Sequence, residues 1–226
     1  MKLRHYLLLG LAILIGLGAA YGSLVYTRPH VFQGSVIDPP VQAIDFTLSD
    51  PSGKDFRLSD QKGKVVLLFF GYTNCPDECP VTLADFVKIK ARLGERADQV
   101  EFVLITTDPE RDTPARMQEY LANFDPAFVG LVGDHAGLET VWEAYGVYRE
   151  EVDIGSASGP IVDHSTRIYL IDANGNLRVT YLFGTESDSM ADDVAYLLQE
   201  GRSARPLEAR RSVASMSGIP DHHAQP

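Results

Sequence analysis

The chain has 226 residues, 45% of them apolar, which suffices for one well-buried domain of roughly 150 residues with an appendage at each end. Its 31 acidic and 20 basic residues leave a formal charge of −11, with no basic stripe after the first positions, which argues against a nucleic-acid partner. Charge of this sign suits a solvated face and would steer a cationic partner.

The N-terminus places Lys2 and Arg4 ahead of about 20 almost uncharged residues, Tyr6 to Tyr26, a length that can cross a hydrocarbon core as one helix. The basic flank stays in the cytoplasm, which sends the rest of the chain to the extracytoplasmic, periplasmic side. A cleaved signal peptide is the rival, with Gly18-Ala19-Ala20 as a passable cleavage site. Apolar residues continue through Leu24, Val25 and Tyr26, further than a signal core needs, which favours a retained single-pass anchor in the cell membrane. In both cases the domain is exported to a compartment that permits disulfides.

Thr27 to Ala43 carries Pro29, Pro39 and Pro40 without an apolar period and reads as an extended linker. DFTLSDPSGKDFRLSD then alternates Phe46, Leu48, Phe56 and Leu58 around Asp50-Pro51-Ser52-Gly53, a short hairpin. Val65 to Phe70 is an unbroken apolar run between Gly63 and Gly71, the pattern of a central strand covered on both faces. A helix fits Val81 to Leu93, with Pro80 in its first turn. Val100 to Thr106 predicts a second strand, Thr113 to Phe124 a second helix and Leu138 to Tyr145 a third. After a Gly/Ser-rich excursion at Gly155 to Gly159, a strand at Arg167 to Ile171 joins one at Leu177 to Phe183 through the hairpin signal Asn174-Gly175. A last helix spans Ser187 to Leu198, and Gly201 to Pro226 reads as a disordered tail.

Parallel crossovers first and an antiparallel pair last is the thioredoxin-like order. The expected fold is therefore α/β and thioredoxin-like, with an N-terminal β-hairpin extension and a single N-terminal transmembrane helix. Its expected bounds are a basic stub (1–5), an anchor (6–26), a linker (27–43), the domain (44–200) and the tail (201–226).

Cys75 and Cys79 stand in GYTNCPDECP, directly after the central strand and at the start of the next helix. Ligands collect at the carboxyl ends of strands in open α/β sheets, and a helix N-terminus lowers thiol pKa values. Two soft thiolates four residues apart suit Cu(I) and suit hard cations badly. A purely structural disulfide would close too small a ring to remove much chain entropy. Zinc lacks a nearby histidine to complete four ligands. His164, in IVDHSTRIYLID, precedes the strand expected beside the central one, where topology brings it toward the two cysteines. His5, His30, His135 and the tail pair His222-His223 lie in places unsuited to the same site. TTDPERDTP closes the second strand; Asp108 falls at its carboxyl edge, and Asp112-Thr113-Pro114 reads as the start of a helix.

GYTNCPDECP, TTDPERDTP and VDHS, in this order behind a short membrane segment, resemble the Sco/SenC family of copper chaperones over nearly the whole length from Asp45 to the last helix. The resemblance implies Cys75 and Cys79 as paired thiolates able to form a redox disulfide, and His164 as an imidazole ligand, around Cu(I) or Cu(II). It also implies a tethered metallochaperone, not an enzyme, that delivers copper to the dinuclear copper centre of cytochrome c oxidase. Its partners would be the copper-receiving subunit, a copper donor and a thiol reductant. Apart from the resemblance, Asp108 by its place at the strand edge reads equally as a cap or turn former and as a residue orienting a ligand, the latter role being expected of Asp163 too. The C-terminal tail is outside the family pattern. Two rival readings use the same cysteines without metal: a thiol–disulfide oxidoreductase, against which three intervening residues argue, and a peroxidase with Cys75 as its thiol.

Overall fold

A computed structural model describes residues 2–26, 30–153, 155 and 161–216. The chain divides into a short unit, Met1–Val31, and a main unit beginning at Phe32. The short unit holds one helix, α1 (Lys2–Tyr26), on which Leu11, Ile13, Leu14, Ile15 and Leu17 are exposed. Several side chains of α1, at 2–3, 6–9, 19–20 and 23–26, fall outside the described set. Among the described residues no helix is long and apolar enough to cross a membrane.

The main unit follows the order β1 (Ser35–Gln42), β2 (Thr47–Ser49), β3 (Asp55–Arg57), β4 (Val65–Gly71), α2 (Glu78–Leu93), β5 (Val100–Thr106), α3 (Pro114–Ala122), β6 (Val129–Leu131), α4 (His135–Ala144), β7 (Arg149–Val152), β8 (Ile161–His164), β9 (Ile168–Ile171), β10 (Asn176–Tyr181) and α5 (Ser187–Met216). Six strands form one mixed sheet in the order β1-β10-β9-β4-β5-β6. β4, β5 and β6 are parallel, while β9 lies antiparallel on the other side of β4 and β10 antiparallel to β9.

Strand pleating divides the core between two faces. Val65, Leu67 and Phe69 of β4 pack with Leu83 and Phe86 of α2 and Val194 and Leu197 of α5. Val66, Leu68 and Phe70 pack with Phe46, Phe56 and the α4 residues Leu138 and Trp142. The six β4 residues from Val65 to Phe70 are at most 2% exposed, as the unbroken apolar run predicts. Register puts the carboxyl ends of β4 and β5 side by side, Gly71 opposite Thr106, and brings the start of β9 to the same edge through Phe69 opposite Ile168.

Four expectations are corrected. The linker over 27–43 is shorter, because Ser35–Gln42 pairs antiparallel with β10 at the sheet edge. An edge strand tolerates Pro39 and Pro40, which sit where the register shifts between Val36 and Val41. α2 starts at Glu78 and α4 at His135, three residues before each expected start, α4 being capped by the Asp134 carboxylate accepting from Gly137 N–H at 2.7 Å. β6, β7 and β8 were not expected. α5 continues to Met216, so its backbone is helical through much of the stretch read as a tail; strong helix formers, Ala, Arg, Leu and Glu, flank Pro206, which disfavours a helix there. Residues 217–226, and with them His222-His223, lie outside the described residues.

Candidate metal centre

β4 runs out at Gly71, where the backbone must pass close to its neighbours: a Cβ there would lie 2.8 Å from Cys79 Sγ. The chain then turns, with Cys75 N–H donating to the Tyr72 carbonyl at 3.3 Å. Cys79 falls in the first turn of α2, and its free backbone N–H donates to Cys75 Sγ at 3.4 Å. Pro80, next along, costs nothing there, because an N–H in the first turn has no helical partner. The loop is anchored from beneath by Asp112, 2% exposed, whose carboxylate accepts from Thr73 N–H at 3.1 Å, Thr73 Oγ1 at 2.6 Å and Thr106 Oγ1 at 2.7 Å. Arg116 reaches back from α3, donating to Thr73 Oγ1 at 2.8 Å and Asn74 Oδ1 at 3.2 Å.

His164 ends β8, the second strand of a hairpin with β7, rather than a plain loop before β9. Its Nδ1 lies 3.0 Å from the Ser165 carbonyl. A carbonyl only accepts, so Nδ1 carries the proton of the neutral ring and Nε2 offers its lone pair. That nitrogen is 3.6 Å from Cys79 Sγ. The ring packs edge-on against Tyr72 and Phe69, and the Tyr72 hydroxyl accepts from Val162 N–H at 3.1 Å, which ties the hairpin to the thiol loop. One donor atom each from Cys75, Cys79 and His164 lies within 4.8 Å of the others.

Both cysteines are free thiols, Cys79 fully buried and Cys75 half-buried. The hydrogen bond from Cys79 holds the Cys75 thiol down to about 4, against the opposing effect of burial and with help from backbone N–H groups. The same hydrogen bond, together with burial, pushes Cys79 up. The pair therefore shares one proton, with Cys75 as thiolate and Cys79 as the donor to it. Burial also raises the Tyr72 phenol.

Of the two carboxylates expected behind the ligands, Asp108 is buried at the end of β5, its acidity weakened by burial and restored in part by an ion pair with Arg111 Nε. The Arg111 guanidinium lies 5.8 Å from the centre of the Tyr72 ring, which links Asp108 to the imidazole through Arg111 and Tyr72. Asp163 is exposed between buried Val162 and His164, on the opposite face of β8, and does not join the cluster. His135 is exposed beside Glu110 and Glu139. Sequence reasoning missed Asp112 and Arg116. Thr113 supplies the helix cap for α3, accepting from Arg116 N–H at 3.3 Å, and this leaves Asp112 for the thiol loop. A cavity of about 340 Å³ between the β2–β3 turn and α3, lined by Asp50, Ser52, Leu121 and Phe128 among others, contains no thiol or imidazole.

Fold and geometry define a thioredoxin-like α/β protein that gathers two thiols and one imidazole at the carboxyl edge of its sheet. Residues 37–199 match the SCO1/SenC family model, so the chain belongs to the SCO1/SenC family. It is 36% identical over 187 residues to an SCO2-like protein of Rickettsia felis, covering 80% of this chain and 91% of that one. It resembles the structure of Bradyrhizobium japonicum ScoI with copper bound at 37% identity and a TM-score of 0.64, over 70% of this chain and all of that one. Arabidopsis thaliana ScoI with copper bound is similar at 31% identity and a TM-score of 0.65, over 71% of this chain and 99% of that one.

Proposed function

We propose that this chain is a membrane-tethered copper carrier that binds the ion through Cys75, Cys79 and His164 and passes it to the dinuclear copper centre of cytochrome c oxidase. The observation that carries the reading is the convergence of two sulfurs and one imidazole nitrogen within 4.8 Å. Two soft thiolates with one nitrogen suit copper, whereas zinc and hard cations call for further nitrogen or oxygen ligands. Copper bound in the two ScoI relatives supports the same ion here. Cys75 arrives as a thiolate, and Cys79 gives up its proton on binding; His164 needs no deprotonation, since Nδ1 keeps its proton for the Ser165 carbonyl. Low coordination at a half-buried sulfur lets a partner's ligands add before these leave. The tether is supported by α1 with its basic start and exposed Leu11 to Leu17, and the extracytoplasmic placement by the charge bias around it.

Competition between the reduced chain and a Cu(I) chelator tests the site. Cys75→Ser and His164→Ala are expected to weaken binding by at least about 10-fold each, a ligand counting for no less than its supports. Wild-type affinity in either variant would refute the three-ligand centre. A second reading, thiol–disulfide exchange, is favoured by the low pKa of Cys75 beside a protonated Cys79. There the dithiol passes two electrons to a partner disulfide and closes a Cys75–Cys79 bond. Such a catalyst would keep its exchange rate in His164→Ala.

A further inference from the structure

β7 and β8 form a two-stranded sheet of their own, so no ladder of the main sheet fixes the position of His164. Directly opposite His164 in that hairpin stands Arg149, 15% exposed at its side chain. Its Nε donates to the Thr107 carbonyl at 2.6 Å, and its Nη2 donates to Glu110 Oε2 at 3.1 Å and Glu151 Oε1 at 2.8 Å. The guanidinium lies 5.4 Å from the centre of the Trp142 ring, and Trp142 Nε1–H donates to the Thr106 carbonyl at 3.1 Å. Thr107 in turn donates its own N–H to the Gly71 carbonyl at 2.8 Å, at the root of the thiol loop. One residue after β5 thus holds the thiol loop by its N–H and the histidine hairpin by its carbonyl.

We propose that Arg149 is the positioning residue for the imidazole: by fastening the β7–β8 hairpin to the Thr107 carbonyl, it sets the spacing between His164 Nε2 and the two sulfurs. The proposal deepens the copper reading above and depends on it only for its effect on affinity. A fork that donates to a carbonyl and two carboxylates while stacked on an aromatic ring has no lysine equivalent. Glu110 and Glu151 neutralise the guanidinium, which keeps its charge from opposing a cation at the thiols.

The test combines a metal-free measurement with a double-mutant cycle on the full chain. In reduced, metal-free Arg149→Gln, the nitrogen-15 signals of the His164 ring should lose the pattern of a single Nδ1–H tautomer, with those of His5 and His30 unchanged; His135 shares Glu110 and Trp142 with Arg149 and is no control. Cu(I) affinity should fall about 10-fold in Arg149→Gln and change by no more than about 2-fold when the same substitution is made in His164→Ala. If Arg149→Gln does not fold, Arg149→Lys, which keeps charge and stacking but not the fork, enters the same cycle. Unaltered ring signals, or an equal affinity loss with and without His164, would overturn the positioning role. Loss of the ring pattern with no effect of His164→Ala on affinity would sink the copper reading and leave the positioning role standing.

Discussion

Gly71→Ala is the sharpest probe of how the sheet edge shapes the site. A Cβ at this position would lie 2.8 Å from Cys79 Sγ, 2.8 Å from Phe69 Cε1 and 3.3 Å from Leu104 Cδ1. Ordinary contact begins at 3.4 Å, so the sulfur must retreat by 0.6 Å or the strand must shift as far. None of the three neighbours is more than 1% exposed, and none has solvent to swing into. Overpacking of this kind costs about 1–3 kcal/mol of stability. A displacement of that size also exceeds the roughly 0.5 Å within which a binding constellation must be held. Cu(I) affinity is therefore expected to fall about 10-fold, or about 1.4 kcal/mol. Urea unfolding of the metal-free chain reads the first effect, and chelator competition the second. Gly133→Ala is the control, since its Cβ would come no nearer than 3.3 Å, to Leu48 Cδ2, with Leu138 Cγ at an ordinary 3.5 Å. Gly71→Ala matching the wild type in both assays, or Gly133→Ala proving equally harmful, would refute the reasoning.

Asp112→Ala strands Thr73 N–H and two threonine hydroxyls in a buried site and is expected to cost about 3 kcal/mol in urea unfolding; a loss below about 1 kcal/mol would deny the anchor role. Because Cys75 is an acid of pKa about 4 rather than the usual 9.0, its thiolate persists as pH falls. Iodoacetamide labelling of the reduced, metal-free chain should stay constant from pH 9 to about pH 5 and halve near pH 4, whereas a tenfold decline per pH unit below 9 would contradict the shift. Gly34→Ala drives a Cβ to 2.6 Å from the Thr180 carbonyl oxygen, a backbone atom that cannot step aside, and should cost about 2 kcal/mol or release β1. Absence of amide-exchange protection across Ser35–Gln42 in the wild-type chain would return the segment to linker status. Tyr181→Phe removes a 2.8 Å hydrogen bond to Asp193, which is fully buried, and is expected to lower stability by about 1–3 kcal/mol in the same unfolding assay.

The legible parts of the sequence were those in which one face or both are dry. Val65 to Phe70 and Val100 to Thr106 carry apolar runs that hardly any other arrangement would bury, and both strands fall where those runs place them. β1 was hidden because two prolines normally forbid a strand, yet at an edge the missing N–H faces no partner. β7 and β8 were hidden for the opposite reason: Glu150, Glu151 and Asp163 are exposed, so the hairpin leaves no apolar alternation to read. The two cysteines announce themselves by local spacing. His164 was reachable only through topology, and Arg149 gave no local signal of its role, since Thr107 and Glu110 lie about 40 residues away and the near partner Glu151 reads as an ordinary surface pair.

The anchors of the three donor groups share a physical logic that no single motif carries. Gly71, at the root of the thiol loop, is held by Thr107 N–H; Thr73, inside that loop, by Asp112; and the hairpin bearing His164 by the Thr107 carbonyl through Arg149. All three fasten to the turn from Thr106 to Asp112 that closes β5, so TTDPERDTP acts as the common base of the site although none of its residues belongs to the thiol–imidazole cluster. The fastenings differ in depth. Asp112 is 2% exposed and holds the thiol loop through Thr73 N–H at 3.1 Å and Thr73 Oγ1 at 2.6 Å, whereas Glu110 and Glu151, which steady Arg149, are about half-exposed and screened by solvent. Of these two fastenings to the turn, the one that holds the thiol loop is therefore the drier, and the one that holds the imidazole's hairpin leans on carboxylates that water reaches.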